Sequence, residues 1–194
     1  IPPSNTPRLK LFDMDWKFFK GELTGAELPE FEDSQWRTLD LPHDWSIEDL
    51  PGQKDGEIVG PFDKKSIGLF YTSYTIGGTG WYRKTFIVEE ADKGKELSIY
   101  FDGVYMESEV WINGHHLGSH KHGYTPFCFK LNDYLNPTGQ QNTIAVLVRN
   151  IGENSRWYSG SGIYRHVWLR MTDPLNIPVW GVYVTTPEVS EEKS

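Results

Sequence analysis

The chain has 194 residues, a formal net charge of −8 and 14% aromatic residues, among them 8 Trp, 10 Tyr and 10 Phe. This length suits one domain with a substantial core, and aromatic side chains contribute about 25 cal/mol per Å² of buried apolar area. The acidic balance and the lack of any Lys/Arg-rich run argue against binding to nucleic acid or to an anionic membrane surface. No apolar run is long enough to span a membrane, so we expect no membrane insertion.

The cysteine and histidine content limits the possible chemistry. The single cysteine, Cys128, excludes an internal disulfide framework, and its aromatic neighbours predict an ordinary buried thiol. Four histidines lie within eight residues, but they follow a turn and no helical pattern aligns them; they are His115, His116, His120 and His122. Because a zinc site needs three or four convergent ligands, we predict no metal and no cofactor.

Short strand-like segments follow one another along the chain, separated by turn residues. They cover residues 16–20, 36–41, 81–88, 95–102, 109–112, 124–129, 143–148, 167–171 and 180–185. A long segment from 46 to 80 is rich in Gly and Pro and carries only one short apolar run. So long a connection is uncommon in a compact domain unless it is functional or disordered.

Two local patterns identify the type of sheet. The pair Asn113–Gly114 predicts a two-residue type I′ hairpin, because both positions of that turn need a positive φ. Residues 143–148 are apolar on both faces, which predicts a central strand. Since no segment shows a sustained period of 3.6 residues, the sequence predicts an all-β sandwich.

The segment 156–165 has an unusual composition for a connection between strands. Its ten residues include two arginines, three aromatic residues and two glycines, whereas a simple turn favours small polar residues. Aromatic faces beside a guanidinium suit the C–H faces and hydroxyls of a sugar, or a carboxylate. The alternative is a packed corner with Trp157 and Tyr158 in the core and Arg156 in a surface ion pair. Arg165 is predicted to pair with a carboxylate and so fix the loop.

Five phrases of the chain, in the same order, resemble those of one family. They are WRTLDLPHDW at 36–45, GWYRKTF at 80–86, FDGVY with VWINGHHLG at 101–118, GYTPF at 123–127 and RWYSGSGIYR at 156–165. Together they resemble the N-terminal sugar-binding domain of glycoside hydrolase family 2, in its bacterial β-galactosidase branch. The resemblance covers about residues 9–172.

The resemblance implies a fold and a domain division. Residues 1–173 are expected to form a jelly-roll β-sandwich of the galactose-binding-domain type. Residues 174–194 are expected to be a linker and the first strand of a truncated immunoglobulin-like domain. A first residue of Ile and a polar last segment are expected of a processed or cut product. A processed product would suit a periplasmic or cell-envelope location.

The resemblance also implies a function. The chain would be a non-catalytic domain of a retaining exo-glycosidase that hydrolyses terminal β-galactosides, and its partners would be a β-galactoside or related oligosaccharide. A catalytic barrel and an immunoglobulin-like domain of the same protein would be its other partners. Because the family places both catalytic glutamates on the barrel, these 194 residues alone are expected to be inactive.

Site residues follow from the same resemblance. Arg156 falls where related enzymes carry a substrate-contacting Asp, so we predict direct donation from Arg156 to sugar hydroxyls. Trp157 and Tyr158 are predicted to contact the sugar beside it. His43 and Asp44 are predicted to contact the barrel.

Other functions stay open on the sequence. The same sandwich often serves as an autonomous carbohydrate-binding module, and it could also be a spacer whose aromatic residues dock on a neighbouring domain. The alternatives for the parent enzyme are a β-mannosidase and a β-glucuronidase; the second is less favoured, because the residues that would bind a uronate carboxylate would lie on the barrel. The sequence does not indicate an oligomeric state.

Overall fold

The computed structural model describes residues 8–48, 58–59, 62–152, 154 and 159–190. These residues form two antiparallel sheets, one short two-stranded ladder and single-turn 3₁₀ helices. The helices span Trp45–Ile47, Leu69–Thr72, Glu90–Asp92 and Asn132–Tyr134. Within the described residues, no helix has the length and apolar character to cross a membrane.

The strands divide between the two sheets in a fixed order. The four-stranded sheet runs β1 (Leu9–Leu11), β12 (Val167–Thr172), β7 (Glu96–Phe101), β10 (Phe127–Lys130). The six-stranded sheet runs β3 (Arg37–Leu39), β2 (Trp16–Lys20), β6 (Gly78–Ile87), β11 (Gln141–Asn150), β8 (Glu107–Ile112), β9 (His115–His120). The ladder pairs β4 (Ile58–Val59) with β5 (Phe62–Asp63).

The main core lies between the inner faces of the two sheets. Apolar side chains from both sheets form one buried cluster, which includes Phe18, Tyr82, Leu97, Ile99, Phe101, Val110, Ile112, Phe127, Ile144, Val146, Val148, Val167, Leu169 and Met171. Successive side chains of a strand point to opposite faces, so each strand contributes alternate residues to this cluster. Two sheets packed in this way form the β-sandwich predicted from the sequence.

The predicted central strand is confirmed as β11, which pairs with β6 on one side and β8 on the other. Ile144, Val146 and Val148 enter the main core. Ala145 and Leu147 face the other way and are buried in a second cluster. A strand buried on both faces reads as a continuous apolar run, which is why the sequence revealed it.

An irregular segment, residues 21–36, covers the outer face of the six-stranded sheet. Arg83 of β6 is only 2% exposed beneath it. Its Nε donates to Asp33 Oδ2 at 2.6 Å, and its Nη1 donates to the carbonyls of Leu28, at 2.9 Å, and of Ala26. A buried guanidinium is tolerated when it is paired and hydrogen-bonded in this way. Arg83 therefore attaches residues 21–36 to the outer face of the six-stranded sheet.

The predicted hairpin is confirmed. Asn113 has φ 50° and Gly114 has φ 80°, and the turn joins β8 to β9. The Asn113 side chain also accepts from the backbone nitrogen of Thr143 at 2.8 Å. The turn is therefore tied to the neighbouring strand β11.

Residues 180–185, predicted to be the first strand of a following domain, adopt no strand in this chain, and their assignment to such a domain stays a prediction. Tyr183 is 90% exposed and Val184 is 82% exposed. A strand becomes stable only when its backbone groups pair with a sheet edge, and this segment pairs with neither sheet among the described residues. The strand predicted at 36–41 is shorter than expected and spans Arg37–Leu39.

Candidate functional site

Several connections meet at one end of the sandwich. The connections 102–106 and 151–166 pass from one sheet to the other at this end, and backbone hydrogen bonds join them. Tyr105 N donates to Gly162 O at 2.9 Å, and Gly162 N donates to Tyr105 O at 2.8 Å. The connection 121–126 and the segment 40–48 lie at the same end, which we call the loop end.

The residues predicted to contact sugar, Arg156, Trp157 and Tyr158, lie outside the described residues. Their contact with a sugar therefore stays a prediction. The structure does describe both flanks of this stretch, namely Asn150–Gly152 with Asn154 on one side and residues from Ser159 onward on the other. These flanks show how the base of the loop is held.

Asn150, the last residue of β11, joins the two flanks. Its side chain is buried, and its Nδ2 donates to Ser161 Oγ at 2.9 Å and to Gly160 O at 3.0 Å. Its Oδ1 accepts from Asn154 Nδ2. One side-chain amide thus bonds to residues before and after the stretch 155–158 and closes its base.

Asp44 holds the second flank from another part of the chain. Its Oδ1 accepts from Ser161 N at 2.8 Å, from Ser46 N at 2.9 Å and from Ser46 Oγ. Ser161 Oγ in turn donates to Ile76 O at 3.0 Å. Asp44 is only 9% exposed, and hydrogen bonds to a carboxylate are stronger than those between neutral groups. The flank is therefore fixed by buried, charge-assisted bonds.

The backbone of the same segment runs alongside the flank. His43 N donates to Ile163 O at 2.8 Å, and Trp45 N donates to Ser161 O at 2.9 Å. Between them Gly162 has φ +127°, and a Cβ there would lie 2.3 Å from Tyr82 Oη and 2.7 Å from His43 O. Only glycine fits both this conformation and this space.

His43 lies in a buried hydrogen-bonded chain beneath the flank. Its Nδ1 is 2.7 Å from Tyr82 Oη and its Nε2 is 2.9 Å from Glu48 Oε1. Burial lowers the pKa of His43, so the neutral ring is favoured. Because the Glu48 carboxylate can only accept, the neutral ring must carry its proton on Nε2, and we assign the Tyr82 hydroxyl as the donor to Nδ1. The ring proton then sits on Nε2 and is donated to Glu48.

The negative charge of Glu48, at the end of this hydrogen-bonded series, is balanced by Arg37. Its Nη1 donates to Glu48 Oε2 at 2.9 Å, and its Nη2 donates to Glu48 Oε1. Burial acts to raise the pKa of Glu48, but the hydrogen bonds from Arg37 and His43 and the charge of Arg37 outweigh it and hold that pKa below its ordinary value. Burial also raises the pKa of Tyr82 well above its ordinary value. The hydrogen-bonded series from Tyr82 through His43 to Glu48 therefore combines a neutral phenol, a neutral imidazole and a carboxylate.

The other residues singled out from the sequence have different surroundings. His43 and Asp44 direct their bonded polar atoms into the domain, so their contact with a barrel stays a prediction. Arg165 does not pair with a carboxylate among the described residues, and that prediction is wrong. Its Nη1 faces the carbonyls of Asp102 and Tyr124 at 3.5 Å, and its Cζ lies 5.1 Å from the Tyr164 ring centroid. An aromatic face attracts a guanidinium electrostatically, so Arg165 is stabilised there without a counter-charge while its N–H donors stay available.

The clustered histidines have separate partners. His115 stacks on Tyr134, His116 lies 3.5 Å from Glu109 Oε2, and His120 stacks on Phe127. His122 packs against Tyr124. In the part of the chain that the structure describes, no group of three or more His, Cys, Asp or Glu side chains is placed to hold a metal ion.

Ser161 and Asn150 were not predicted from the sequence, and Asp44 was predicted to contact the barrel instead. A signal for Asp44 was present, because Asp two residues before Ser is typical of a capped turn. Asp44 is indeed the N-cap of the helix Trp45–Ile47. Nothing local indicated that the same carboxylate also bonds to Ser161.

With this geometry established, comparison with known proteins decides the family. The family model described as "Glycosyl hydrolases family 2, sugar binding domain" matches residues 30–174. The chain belongs to this family. The resemblance noted from the five sequence phrases and the predicted all-β sandwich are thereby confirmed.

Individual relatives agree with the family. The chain is 47% identical to "Beta-galactosidase BoGH2A" of Bacteroides ovatus over 94% of this chain and 20% of that protein. It is 37% identical to a "Putative beta-glucuronidase" of Formosa agariphila over 94% of this chain and 16% of that protein. The chain thus spans about a fifth of the length of these curated relatives.

A solved structure matches the fold over the same range. The crystal structure of a glycosyl hydrolase family 2 member from Bacteroides cellulosilyticus superposes with a TM-score of 0.84 at 46% identity. The match covers 94% of this chain and 23% of that chain. The two antiparallel sheets are therefore those of a family 2 sugar-binding domain.

Proposed function

We propose that this chain is the N-terminal, non-catalytic domain of a longer β-galactosidase-like exo-glycosidase that hydrolyses terminal β-galactosides with retention. The observation that carries the proposal is the 47% identity, over 94% of the chain, to the Bacteroides ovatus protein named a β-galactosidase. Residues 156–158 form one wall of the sugar subsite, and a catalytic barrel forms the rest.

The buried network at the loop end supports this role. A binding group works best when packing and hydrogen bonds behind it hold its geometry. Asn150 and Asp44 both bond to Ser161, and His43 bonds to Ile163 through its backbone. The loop that carries Arg156 is therefore anchored at its base by groups that have little exposure to solvent.

We expect the 194-residue chain to have no glycosidase activity by itself. A retaining mechanism requires two carboxyl groups about 5–5.5 Å apart that flank the scissile bond. In the proposal both belong to the barrel, and residues 174–194 are a linker and the first strand of an intervening immunoglobulin-like domain. The exposure of Tyr183 and Val184 supports this division, because apolar strand residues are expected to be buried by a partner.

A β-glucuronidase is the second candidate for the parent enzyme. Two relatives come from Formosa agariphila. The one named "Putative beta-glucuronidase" is 37% identical to this chain, and the one named "Beta-glucuronidase" is 33% identical. A uronate differs from galactose by a carboxylate, to which Arg156 could donate two hydrogen bonds.

An assay of the longer protein separates these candidates. Its kcat/KM would be measured on aryl β-galactoside, β-glucuronide and β-mannoside, with the 194-residue chain assayed in parallel. We expect the β-galactoside to be the best substrate and the short chain to match the buffer blank. A preference for the glucuronide would establish the second candidate, and lack of turnover on all three would overturn both. Turnover by the short chain would contradict its non-catalytic role.

A further inference from the structure

A second group of side chains suited to a sugar lies at the loop end, outside the stretch 155–158. An open groove of about 390 Å³ is lined by Pro42, Asp102, Pro126, Tyr164, Arg165 and His166. Binding sites for small molecules are typically about 300–1,000 Å³. We call this the Tyr164 groove.

The apolar part of the groove has a fixed shape. The Tyr164 hydroxyl donates to Gly123 O at 2.8 Å. A Cβ at Gly103 would lie 3.0 Å from Tyr164 Oη, so the ring packs directly on that backbone. Arg165 lies over the same ring, and Pro42 adds an exposed apolar surface. A ring held in this way offers apolar area at little entropic cost.

The imidazole in the groove is oriented by a buried carboxylate. His166 Nδ1 lies 2.6 Å from Asp13 Oδ2, and Asp13 Oδ1 accepts from Val167 N at 2.8 Å. The Asp13 side chain is 3% exposed, whereas that of His166 is 51% exposed. A carboxylate on one ring nitrogen fixes the orientation of the ring. Nε2 of His166 makes no hydrogen bond to a described residue and remains for a ligand.

The two charged groups of the groove also retain bonding capacity. Asp102 Oδ2 accepts from Trp168 Nε1 at 2.9 Å, while Oδ1 accepts from no described residue. Arg165 reaches carbonyl oxygens only through Nη1, at the 3.5 Å limit of a hydrogen bond. Its Nε and Nη2 make no hydrogen bond within the described part of the chain. The groove thus offers a carboxylate acceptor, guanidinium donors and an imidazole.

This combination selects the chemical class of the ligand. The carboxylate of Asp102 disfavours an anion, and the guanidinium of Arg165 disfavours a metal ion. A sugar hydroxyl both donates and accepts, and the C–H face of a pyranose can lie on Tyr164 and Pro42. We propose that the Tyr164 groove binds a neutral hexopyranose, as a sugar contact separate from residues 156–158. Because the groove is open, its Kd should be millimolar, about −4 kcal/mol.

Nuclear magnetic resonance of the 194-residue chain tests the proposal directly. Methyl β-D-galactoside would be titrated to about 100 mM, well above a millimolar Kd. We expect saturable shifts of the backbone amides of Asp102, Tyr164 and Arg165 and of the Trp168 indole N–H. Arg165→Ala should weaken binding at least about fivefold, which is about 1 kcal/mol. No saturable shift at these signals would overturn the proposal.

Matched variants separate this site from other effects. Arg149→Ala removes a comparable arginine, paired with Glu109 at 2.9 Å, and should leave the Kd unchanged. Arg156→Ala should also leave these shifts unchanged. The result at the Tyr164 groove is therefore independent of whether Arg156 contacts sugar in the longer protein. Equal weakening by Arg149→Ala or Arg156→Ala would overturn the assignment, as would tighter binding of glucuronate than of the neutral galactoside. If Arg165→Ala unfolds, Arg165→Gln replaces it, and retention of wild-type affinity would count against the groove.

Discussion

Asp44 Oδ1 lies 2.8 Å from the backbone nitrogen of Ser161, although 117 residues separate the two in the chain. The same oxygen accepts from the backbone of Ser46, so one buried carboxylate oxygen joins two segments. Ser161 also accepts a bond from Asn150, the last residue of β11. The flank of the loop proposed to contact sugar is therefore held from two sides.

Loss of the Asp44 carboxylate should destabilise the domain. In Asp44→Ala the N–H of Ser161 and the N–H and hydroxyl of Ser46 lose a buried acceptor, and we expect the free energy of unfolding to fall by about 2–4 kcal/mol. Asp44→Asn keeps one oxygen and should cost less. Urea denaturation measures both, with exposed Glu30→Ala as a control expected within about 0.5 kcal/mol. Equal stability of Asp44→Ala and Glu30→Ala would show that the network contributes nothing.

A side chain at Gly162 should disrupt the same region. Gly162→Ala places a methyl 2.3 Å from Tyr82 Oη at φ +127°, and we expect a loss of about 2–5 kcal/mol in unfolding free energy. Gly139→Ala is the matched control, because φ is +81° but nothing lies within 4 Å of the added carbon. That variant should lose only about 1 kcal/mol. Similar losses in the two variants would mean that backbone strain, and not the close approach, decides the requirement for glycine.

The buried His43 should make stability depend on pH. Burial lowers its pKa from the ordinary value of 6.5, so below that pH the unfolded chain binds a proton that the folded chain does not. Stability is therefore fully present above pH 6.5 and falls with decreasing pH, by up to about 1.4 kcal/mol per pH unit, until the folded pKa is reached. Glu48, Arg37, Tyr82 and Asp44 face the ring. The pKa of Glu48 lies below its ordinary value and those of Arg37 and Tyr82 lie above theirs, so these three groups keep their charge state in this range.

His43→Gln isolates this effect, because every other histidine is common to both proteins. Urea denaturation at about pH 7.5 and about pH 5.5 should show a smaller difference for the variant than for the wild type. The variant should be less stable at the higher pH, since it loses part of the bonding to Tyr82 and Glu48. An unchanged pH dependence would contradict the buried, neutral His43.

Arg156 should matter for catalysis in the longer protein. If it donates a charge-assisted hydrogen bond to the sugar in the transition state, Arg156→Ala loses about 1.5–3 kcal/mol, or about ten- to a hundredfold in kcat/KM. Arg156→Lys should recover only part, because an ammonium lacks the planar fork. Arg149→Ala, which removes a surface ion pair with Glu109, should leave kcat/KM unchanged. Near wild-type kcat/KM in Arg156→Ala would exclude its contact with sugar.

The sequence by itself determined the features that depend on neighbouring residues. The hairpin at Asn113–Gly114 follows from the two positive φ values of its turn, and β11 follows from its apolar run. Both signals are local, because turn conformation and strand alternation are set within a few residues. The five phrases were sufficient to indicate the family, since they keep their order over most of the chain.

Tertiary structure alone decided which distant residues meet. Asp44 bonds to Ser161, Arg83 bonds beneath residues 21–36, and Asp13 orients His166, and none of these pairs is close in sequence. The segment 180–185 has the composition of a strand but adopts none, because it pairs with no sheet edge in the described structure. A buried polar group must find its partner wherever the packed chain places one, and a strand must find an edge. The partner and the sheet edge are supplied by residues that are distant in sequence, so no periodic pattern in the local sequence indicates them.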